Sequence, residues 1–189
     1  MARASYFFGY GSLVNTATHD FPDPRPARLS GWRRAWRHTD LRPVAFLTAI
    51  RDAQSVIDGM IAHVPGDDWA ALDAREWAYD RVPVTDRVSH RLHDPVEIAV
   101  YAVSEGRQQA PSRAYPVLLS YIDVVVQGYL RAFGPDGAAR FFDTTDGWDA
   151  PVLNDRDRPK YARHQVLSTD ETGFVDTQLA RVGAVFQDA

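Results

Sequence analysis

The sequence contains no cysteine, so disulfide bonds, thiolate metal sites and a cysteine nucleophile are excluded. Lysine is nearly absent as well, because Lys160 is the one lysine among 21 basic residues. No stretch approaches the roughly 20 apolar residues that a membrane helix needs. No charged segment followed by an apolar one opens the chain, so no signal peptide is predicted. These absences predict a cytoplasmic protein without a membrane partner.

The remaining bulk properties are those of an ordinary globular protein. The chain has 189 residues, of which 45% are apolar and 24% charged, and its net charge is −4. That length suits one domain with a full hydrophobic core. The acidic balance gives no reason to expect a nucleic-acid partner. Because no repeat, linker or low-complexity tract is found, residues 1–189 are predicted to form a single domain.

Short strand-like runs come first along the chain and helices follow. The runs lie at residues 27–38, 44–50, 56–64, 78–88 and 96–103. A short helix is predicted at 67–75, with Asp67 or Asp68 as its N-cap. A longer helix is predicted at 116–133, where apolar residues four apart form a stripe that ends before Gly134. Without βαβ alternation, this order predicts an α+β fold, although residues 144–189 show no clear pattern.

Residues 6–13, with the sequence YFFGYGSL, form an apolar run that leads into a glycine turn. The glycines are two residues apart, but Val14 stands where a dinucleotide-binding fingerprint needs a third glycine. Backbone N–H groups in such a turn can hold a carboxylate or an oxyanion. A strand that simply ends in a glycine turn explains the same spacing equally well.

A second segment, LDAREWAYDRVPV at residues 72–84, follows about 60 residues later. Together, the YGSL loop and this LDxRE…Y.RV.V segment resemble the γ-glutamylcyclotransferase superfamily. That superfamily includes the glutathione-degrading ChaC enzymes, γ-glutamylamine cyclotransferases and AIG2-like proteins. The match covers roughly the first 105 residues. It implies a small, mostly antiparallel, barrel-like sheet flanked by helices.

The resemblance also implies a reaction. The α-amine of a γ-glutamyl group attacks its own γ-carbonyl, which releases 5-oxoproline and the amine that had been acylated. Because ring closure is intramolecular, holding the glutamyl chain folded supplies much of the rate. One general acid/base must move the proton, and the tetrahedral oxyanion needs hydrogen-bond donors. No metal or cofactor is implied.

Glu76 stands at the position of the family's catalytic carboxylate, and we predict that it is the general acid/base. An acid at a helix C-terminus is unfavourable against the helix dipole, which favours a special role for it. A solvated glutamate is the structural alternative, and Asp73 is the competing functional carboxylate. Many family members have glycine after the glutamate, whereas this chain has Trp77, so the substrate preference stays open. Trp77 or Tyr79 is expected to shield Glu76 from water.

Tyr10, Gly11, Ser12 and Leu13 form the predicted substrate loop. Their backbone N–H groups and the Ser12 hydroxyl would hold the glutamyl α-carboxylate or the developing oxyanion. Tyr79 lies where the family often has a tyrosine near the pocket. Core packing is the alternative role for the apolar members, and an ordinary strand position is the alternative for Tyr79.

Three further patterns have ordinary explanations. Residues 32–36, WRRAW, fit an edge strand with one packed face and one wet face. His90 and His93 lack a third ligand at metal spacing, so no metal site is predicted. The charged segment around Arg156 predicts either a solvated loop or a lid that meets a substrate carboxylate.

The alternative to an enzyme is a non-catalytic family member that binds a metabolite or a protein partner through the same cavity.

Overall fold

The computed structural model describes residues 3–39 and 43–188. Within these ranges the chain forms ten strands and three α-helices. The strands are β1 (Ala4–Gly9), β2 (Arg25–Arg37), β3 (Phe46–His63), β4 (Asp80–Pro83), β5 (Val88–Ser89), β6 (Val96–Ala102), β7 (Val117–Leu118), β8 (Thr145–Asp146), β9 (Pro151–Asn154) and β10 (Val185–Asp188). The helices are α1 (Ala70–Arg75), α2 (Leu119–Asp143) and α3 (Thr169–Arg181).

The main sheet is a curled half-barrel with the strand order β4-β6-β1-β3-β2-β5, and β8 pairs with β2. Most pairs are antiparallel, and the β1–β6 and β2–β8 pairs are parallel. The apolar β1 lies inside the sheet between β3 and β6, and both Phe7 and Phe8 are buried. Both faces of β1 are therefore covered, which explains why its sequence does not alternate. The predicted α+β class is confirmed.

Two predicted strand boundaries are wrong. The runs at 44–50 and 56–64 belong largely to one strand, β3, which pairs with β2 on both sides of an irregularity where Val56 lies opposite Ser30 and Arg51 opposite Trp32. The run at 78–88 instead divides into β4, a 3-10 turn at Thr85–Arg87 and β5. Pro83 ends β4, since proline has no N–H to continue a ladder.

Both predicted helices begin later than expected. α1 begins at Ala70 because Pro65–Asp67 forms a 3-10 turn in which Gly66 has a φ of 65°. Its N-cap is Trp69 and not Asp67 or Asp68, although Asp68 accepts a hydrogen bond from the Ala70 N–H at 3.1 Å. The 116–133 helix begins at Leu119 because the two preceding residues pair with β9 as β7.

α2 also continues beyond its predicted end. Gly134 has a φ of 69° and a ψ of −176°, which breaks the helix, and Pro135 then opens a second helical part that reaches Asp143. Proline is tolerated there because the N–H groups of a first turn have no intrahelical partner. The predicted apolar stripe faces the core: Val125 and Tyr129 are fully buried, and Tyr121 packs against the same cluster.

The C-terminal part, which showed no clear pattern, builds a second sheet. It has three parallel strands in the order β10-β9-β7, and β9, α3 and β10 form a βαβ unit. The expectation of no βαβ alternation is therefore wrong for this part. Ser168 caps α3 in a reciprocal capping box with Glu171. Val175 and Leu179 of α3 belong to the same buried cluster as Tyr6 of β1.

The expected edge strand at residues 32–36 is wrong as well. β2 pairs with β3 on one side and with β5 and β8 on the other. Trp32, Arg34 and Trp36 share the inward face and are buried. The Arg34 guanidinium lies between two aromatic rings, with its Cζ 5.2 Å from the Tyr129 centroid and 5.0 Å from that of Phe141. In the described part of the chain, its three side-chain nitrogens have no hydrogen-bond partner.

Candidate functional site

Two small cavities adjoin where the end of β1 meets the end of α1. The outer cavity has a volume of about 100 Å³ and the inner one of about 30 Å³. Ser12, Glu76, Tyr79 and Tyr121 line both. The inner cavity is lined by all six residues predicted from the sequence, namely Tyr10, Gly11, Ser12, Leu13, Glu76 and Tyr79. The fold thus brings the loop and the glutamate together across 64 positions (76 − 12) of sequence.

Glu76 is the C-cap of α1, and its N–H donates to the Leu72 carbonyl at 2.9 Å. Leu72 is fully buried in a cluster with Phe7 and Leu13, which fixes the short helix against the end of β1. The Glu76 side chain is only 16% exposed, so the solvated-glutamate alternative does not hold. The buried face of α1 therefore determines where the Glu76 carboxylate lies.

Asp73, the competing carboxylate, lies outside both cavities. Its side chain is 48% exposed and pairs with Arg81 at 3.2 Å. It also accepts a hydrogen bond from the Tyr101 hydroxyl. The geometry therefore favours Glu76 over Asp73 as the carboxylate that faces the substrate loop.

The loop after β1 is a 3-10 turn at Ser12–Val14. Hydrogen bonds within the loop and to α2 hold it in place. The Ser12 carbonyl accepts hydrogen bonds from the Asn15 N–H at 3.1 Å and the Thr18 hydroxyl at 2.9 Å. The Asn15 amide donates to the Val124 carbonyl and to Gln127, both at 2.9 Å. Ser12 is therefore held in position before any ligand arrives.

Gly11 is needed because of the limited space around it, and not because its backbone has a positive φ. Its φ is −115° and its ψ is −130°, so Gly11 is not in the left-handed conformation that favours glycine in turns. A Cβ atom at this position would instead lie 2.6 Å from the Tyr121 hydroxyl oxygen. Glycine therefore allows the Tyr121 hydroxyl to reach the backbone of the loop.

Three predicted site residues also have structural contacts. The Tyr10 hydroxyl donates to the Tyr101 carbonyl at 2.6 Å, and the Tyr79 hydroxyl donates to the Leu47 carbonyl at 2.9 Å. Burial, together with the nearby charge of Glu76, raises the pKa of Tyr10. Leu13 packs in the cluster that contains Leu72. Each side chain thus lines the inner cavity while also holding the surrounding strands, so the packing alternatives apply as well.

Tyr121 lines both cavities, although its place in the apolar stripe of α2 predicted only a core position. Burial raises the pKa of Tyr121 well above its usual value, and the neighbouring Tyr161 and Glu76 act in the same direction. A backbone hydrogen bond from Ser12 has the opposite, smaller effect on this pKa. The phenol therefore stays protonated at neutral pH and offers a neutral O–H to the cavity.

Arg75 is the second residue that was missed. Its side chain is only 8% exposed, and its Nε lies 3.2 Å from Oε1 of Glu76. Its terminal nitrogens donate to the Ser12 hydroxyl at 3.2 Å and to the Thr18 carbonyl at 2.9 Å. Arg75 stands inside the LDxRE segment that identified Glu76, so its position was visible in the sequence but its contacts were not.

The C-terminal part of the chain borders the outer cavity. Tyr161 and Arg163 line it, and the Tyr161 ring contacts that of Tyr121 at a centroid distance of 5.0 Å. Arg156, for which either a solvated loop or a lid contact was predicted, pairs with Asp123 at 2.8 Å and with Asp176 at 3.0 Å. The segment therefore reaches the site, but through Tyr161 and Arg163 and not through Arg156.

Trp77 is 58% exposed and lines neither cavity, whereas Tyr79 lines both together with Glu76. Trp77, which stands where many family members have glycine, therefore occupies neither cavity.

Larger clefts of about 500 and 670 Å³ lie elsewhere on the surface, and neither contains Glu76 or the loop. Size alone therefore does not identify the site. Among the residues that the structure describes, no group of three histidine, aspartate or glutamate side chains could hold a metal ion. Over the same residues, no helix is both long and apolar enough to cross a membrane.

Comparison with known proteins identifies a matching family and similar folds. Residues 7–118, more than half of the chain, match the family model described as gamma-glutamyl cyclotransferase, AIG2-like. No curated protein matches the sequence. A solved structure described as gamma-glutamyl cyclotransferase has a TM-score of 0.59 at 12% identity and covers 93% of this chain and 99% of its own.

Two further solved structures are similar. Uncharacterized protein LOC79017 from Homo sapiens has a TM-score of 0.60 at 13% identity, over 93% of this chain and 99% of its own. YkqA from Bacillus subtilis has a TM-score of 0.58 at 17% identity, over 74% of this chain and 53% of its own. At such identities the likeness shows the fold alone, and the predicted barrel-like fold is confirmed.

Proposed function

This chain belongs to the gamma-glutamyl cyclotransferase, AIG2-like family, and we propose that it releases 5-oxoproline from a γ-glutamyl peptide or amine. One observation carries the proposal: Glu76 and Ser12 line the same two cavities. A general acid/base and an anion-binding turn are the two elements that the cyclisation needs. Fold alone would not support the activity, because one fold can serve several functions.

The first step is nucleophilic attack within the substrate. Glu76, as carboxylate, takes a proton from the α-ammonium, and the freed amine attacks the γ-carbonyl carbon of the same glutamyl group. The new C–N bond closes a five-membered ring and places negative charge on the carbonyl oxygen. Because both reacting groups belong to one molecule, the cavity only has to hold the chain folded.

Donors around the loop would stabilise the oxyanion. The predicted substrate loop lines the inner cavity, and the Tyr121 hydroxyl lies close to the same loop, so backbone N–H groups and the Ser12 hydroxyl would be the donors. Such fixed donors typically contribute a few kcal/mol to an acyl-transfer transition state. The neutral phenol of Tyr121 suits this role because it can donate without repelling the anion.

The second step breaks the original amide bond. The protonated Glu76 gives its proton to the leaving nitrogen as the C–N bond breaks, and the ring nitrogen gives up its remaining extra proton, so that the amine departs as an ammonium and 5-oxoproline remains. Substrate atoms are divided between the two products, and no water or electrons are consumed. With the glutamyl end beside Glu76 and Ser12, the leaving group would extend past Tyr161 and Arg163, which line the outer cavity.

We also take residues 1–189 as one domain, because a single buried cluster runs from Tyr6 of β1 to Leu179 of α3. A cytoplasmic location stays a prediction from the sequence.

The test is a substrate panel that contains glutathione, γ-glutamyl amino acids and γ-glutamyl-lysine. Release of 5-oxoproline from at least one substrate, with saturation kinetics, is the expected result. Saturable binding of these compounds without any turnover would instead support a non-catalytic binding protein. The panel also identifies the preferred leaving group. The sequence does not predict it, because Trp77 departs from the family pattern beside Glu76.

A further inference from the structure

We propose that Arg75 is a positioning residue that holds Glu76 ionised and joined to the Ser12 loop. This inference rests on the proposed function, since it assigns Arg75 to the same reaction. Arg75 contacts Glu76 through Nε at 3.2 Å and the Ser12 hydroxyl through Nη2 at 3.2 Å. One planar guanidinium therefore spans the general acid/base and the substrate loop.

The surroundings of Arg75 differ from those of a surface arginine. Its side chain is 8% exposed, and Thr18 accepts two of its hydrogen bonds, at the carbonyl from Nη1 at 2.9 Å and at Oγ1 from Nη2 at 3.2 Å. Thr18 and Ser12 are neutral, so among the described residues Glu76 is the one carboxylate within ion-pair distance of Arg75. The neighbouring Arg81–Asp73 pair, by contrast, is largely exposed.

The contact suits both halves of the reaction. A positive charge at this distance favours the ionised carboxylate, which is the form that accepts a proton from the substrate ammonium. Once protonated, Glu76 loses its attraction to the guanidinium, so return of the proton to the leaving amine becomes more favourable. Arg75 therefore opposes the stable protonation of Glu76 that burial alone would produce.

Other groups face Glu76 from each surrounding element. Tyr10 at the end of β1 and Tyr121 on α2 have raised pKa values, so both remain neutral across the range in which a carboxylate titrates. Tyr79 lines both cavities, and Tyr161 and Arg163 of the C-terminal part line the outer one. Arg163 is exposed at the cavity mouth, whereas Arg75 is buried beside the carboxylate. Replacing Arg75 should therefore change the pH at which Glu76 ionises.

The experiment measures the titration of the Glu76 carboxyl carbon by NMR and the pH dependence of kcat/KM. In Arg75→Met, we expect the Glu76 midpoint and the acid limb of the profile to move upward together by about one pH unit or more. At a pH below the new midpoint, kcat should fall about tenfold, because the base is then mostly protonated. Arg75→Lys should restore much of the midpoint, since it keeps the charge.

Thr18→Val is the matched control, because it removes one hydroxyl from Arg75 without changing any charge. Its Glu76 midpoint should equal that of the wild type. An unchanged midpoint in Arg75→Met would overturn the proposal, and if that variant does not fold, Arg75→Gln and Arg75→Lys give the same comparison. If the wild type shows no turnover on any substrate, the proposed function fails, while the NMR titration still decides what Arg75 does to Glu76.

Discussion

Replacing Arg34 with methionine should make the protein more stable. Arg34 is fully buried in the half-barrel, and its three side-chain nitrogens have no hydrogen-bond partner among the described residues. Burial lowers the pKa of Arg34, which reflects the cost of keeping its charge out of water. Methionine is also long and unbranched, so it can occupy much of the same space without a polar atom that needs a partner.

The expected gain follows from two opposing contributions. Each buried unsatisfied donor costs about 1–3 kcal/mol. The Tyr129 and Phe141 rings, at 5.2 and 5.0 Å, offset part of this through cation–π attraction, worth about 2 kcal/mol each when desolvated. Replacing buried ionic groups by apolar ones is often neutral or stabilising by about 1–4 kcal/mol. We expect Arg34→Met to gain about 1–3 kcal/mol within that range.

Urea unfolding measures this gain as a higher midpoint concentration of urea, and the m value should be unchanged. In a chain of this size, each kcal/mol corresponds to about 2–4 °C in Tm. The control is Arg33→Met on the same strand, where the side chain is partly exposed and its Nε lies 2.7 Å from Asp146. That variant should lose no more than about 1 kcal/mol. A loss above about 2 kcal/mol in Arg34→Met alone would refute the reasoning, because it would mean that the guanidinium is stabilised inside the barrel.

Two further predictions concern Asp58 and Gly11. Burial raises the pKa of Asp58, but hydrogen bonds from two arginines, at 2.9 and 2.8 Å, outweigh it and lower this pKa below 3.8. Its stabilisation is therefore present at pH 7 and lost as the pH falls through the folded-state pKa. Asp58→Asn should cost about 1–3 kcal/mol at pH 7 and less at pH 3 by urea unfolding, and an equal cost at both would contradict this. Gly11→Ala should reduce 5-oxoproline release because its Cβ would lie 2.6 Å from the Tyr121 hydroxyl oxygen. Full activity in Gly11→Ala would argue against the close approach.

The local features of the site could be predicted from the sequence because short segments encode them. The apolar run of β1 and its glycine turn lie within residues 6–13, and Glu76 follows a short helix that Leu72 anchors. The stripe of α2 predicted which side of that helix meets the core, because the pattern repeats over four turns. Each of these depends on residues close together in the sequence.

The remainder depends on contacts between distant residues. Tyr121 belongs to the apolar stripe of α2, and only the packing of that helix on Gly11 makes it a site residue. The pattern around Arg34 suggested alternation but could not show that strands flank β2 on both sides. Two-residue strands such as β7 have no periodicity to detect. The capping box of α3 is, by contrast, a local signal, because Ser168 followed three residues later by Glu171 marks a helix N-terminus.

The measurement that tests the central claim most directly compares 5-oxoproline release by the wild type, Glu76→Gln and Asp73→Asn. Glu76→Gln keeps the shape of the side chain but cannot transfer the proton, so kcat should fall about 10²–10⁴-fold while calorimetry still detects substrate binding. Asp73→Asn should keep nearly full activity, because Asp73 lies outside both cavities. Near-normal turnover by Glu76→Gln, or its loss in Asp73→Asn alone, would contradict the proposed role of Glu76.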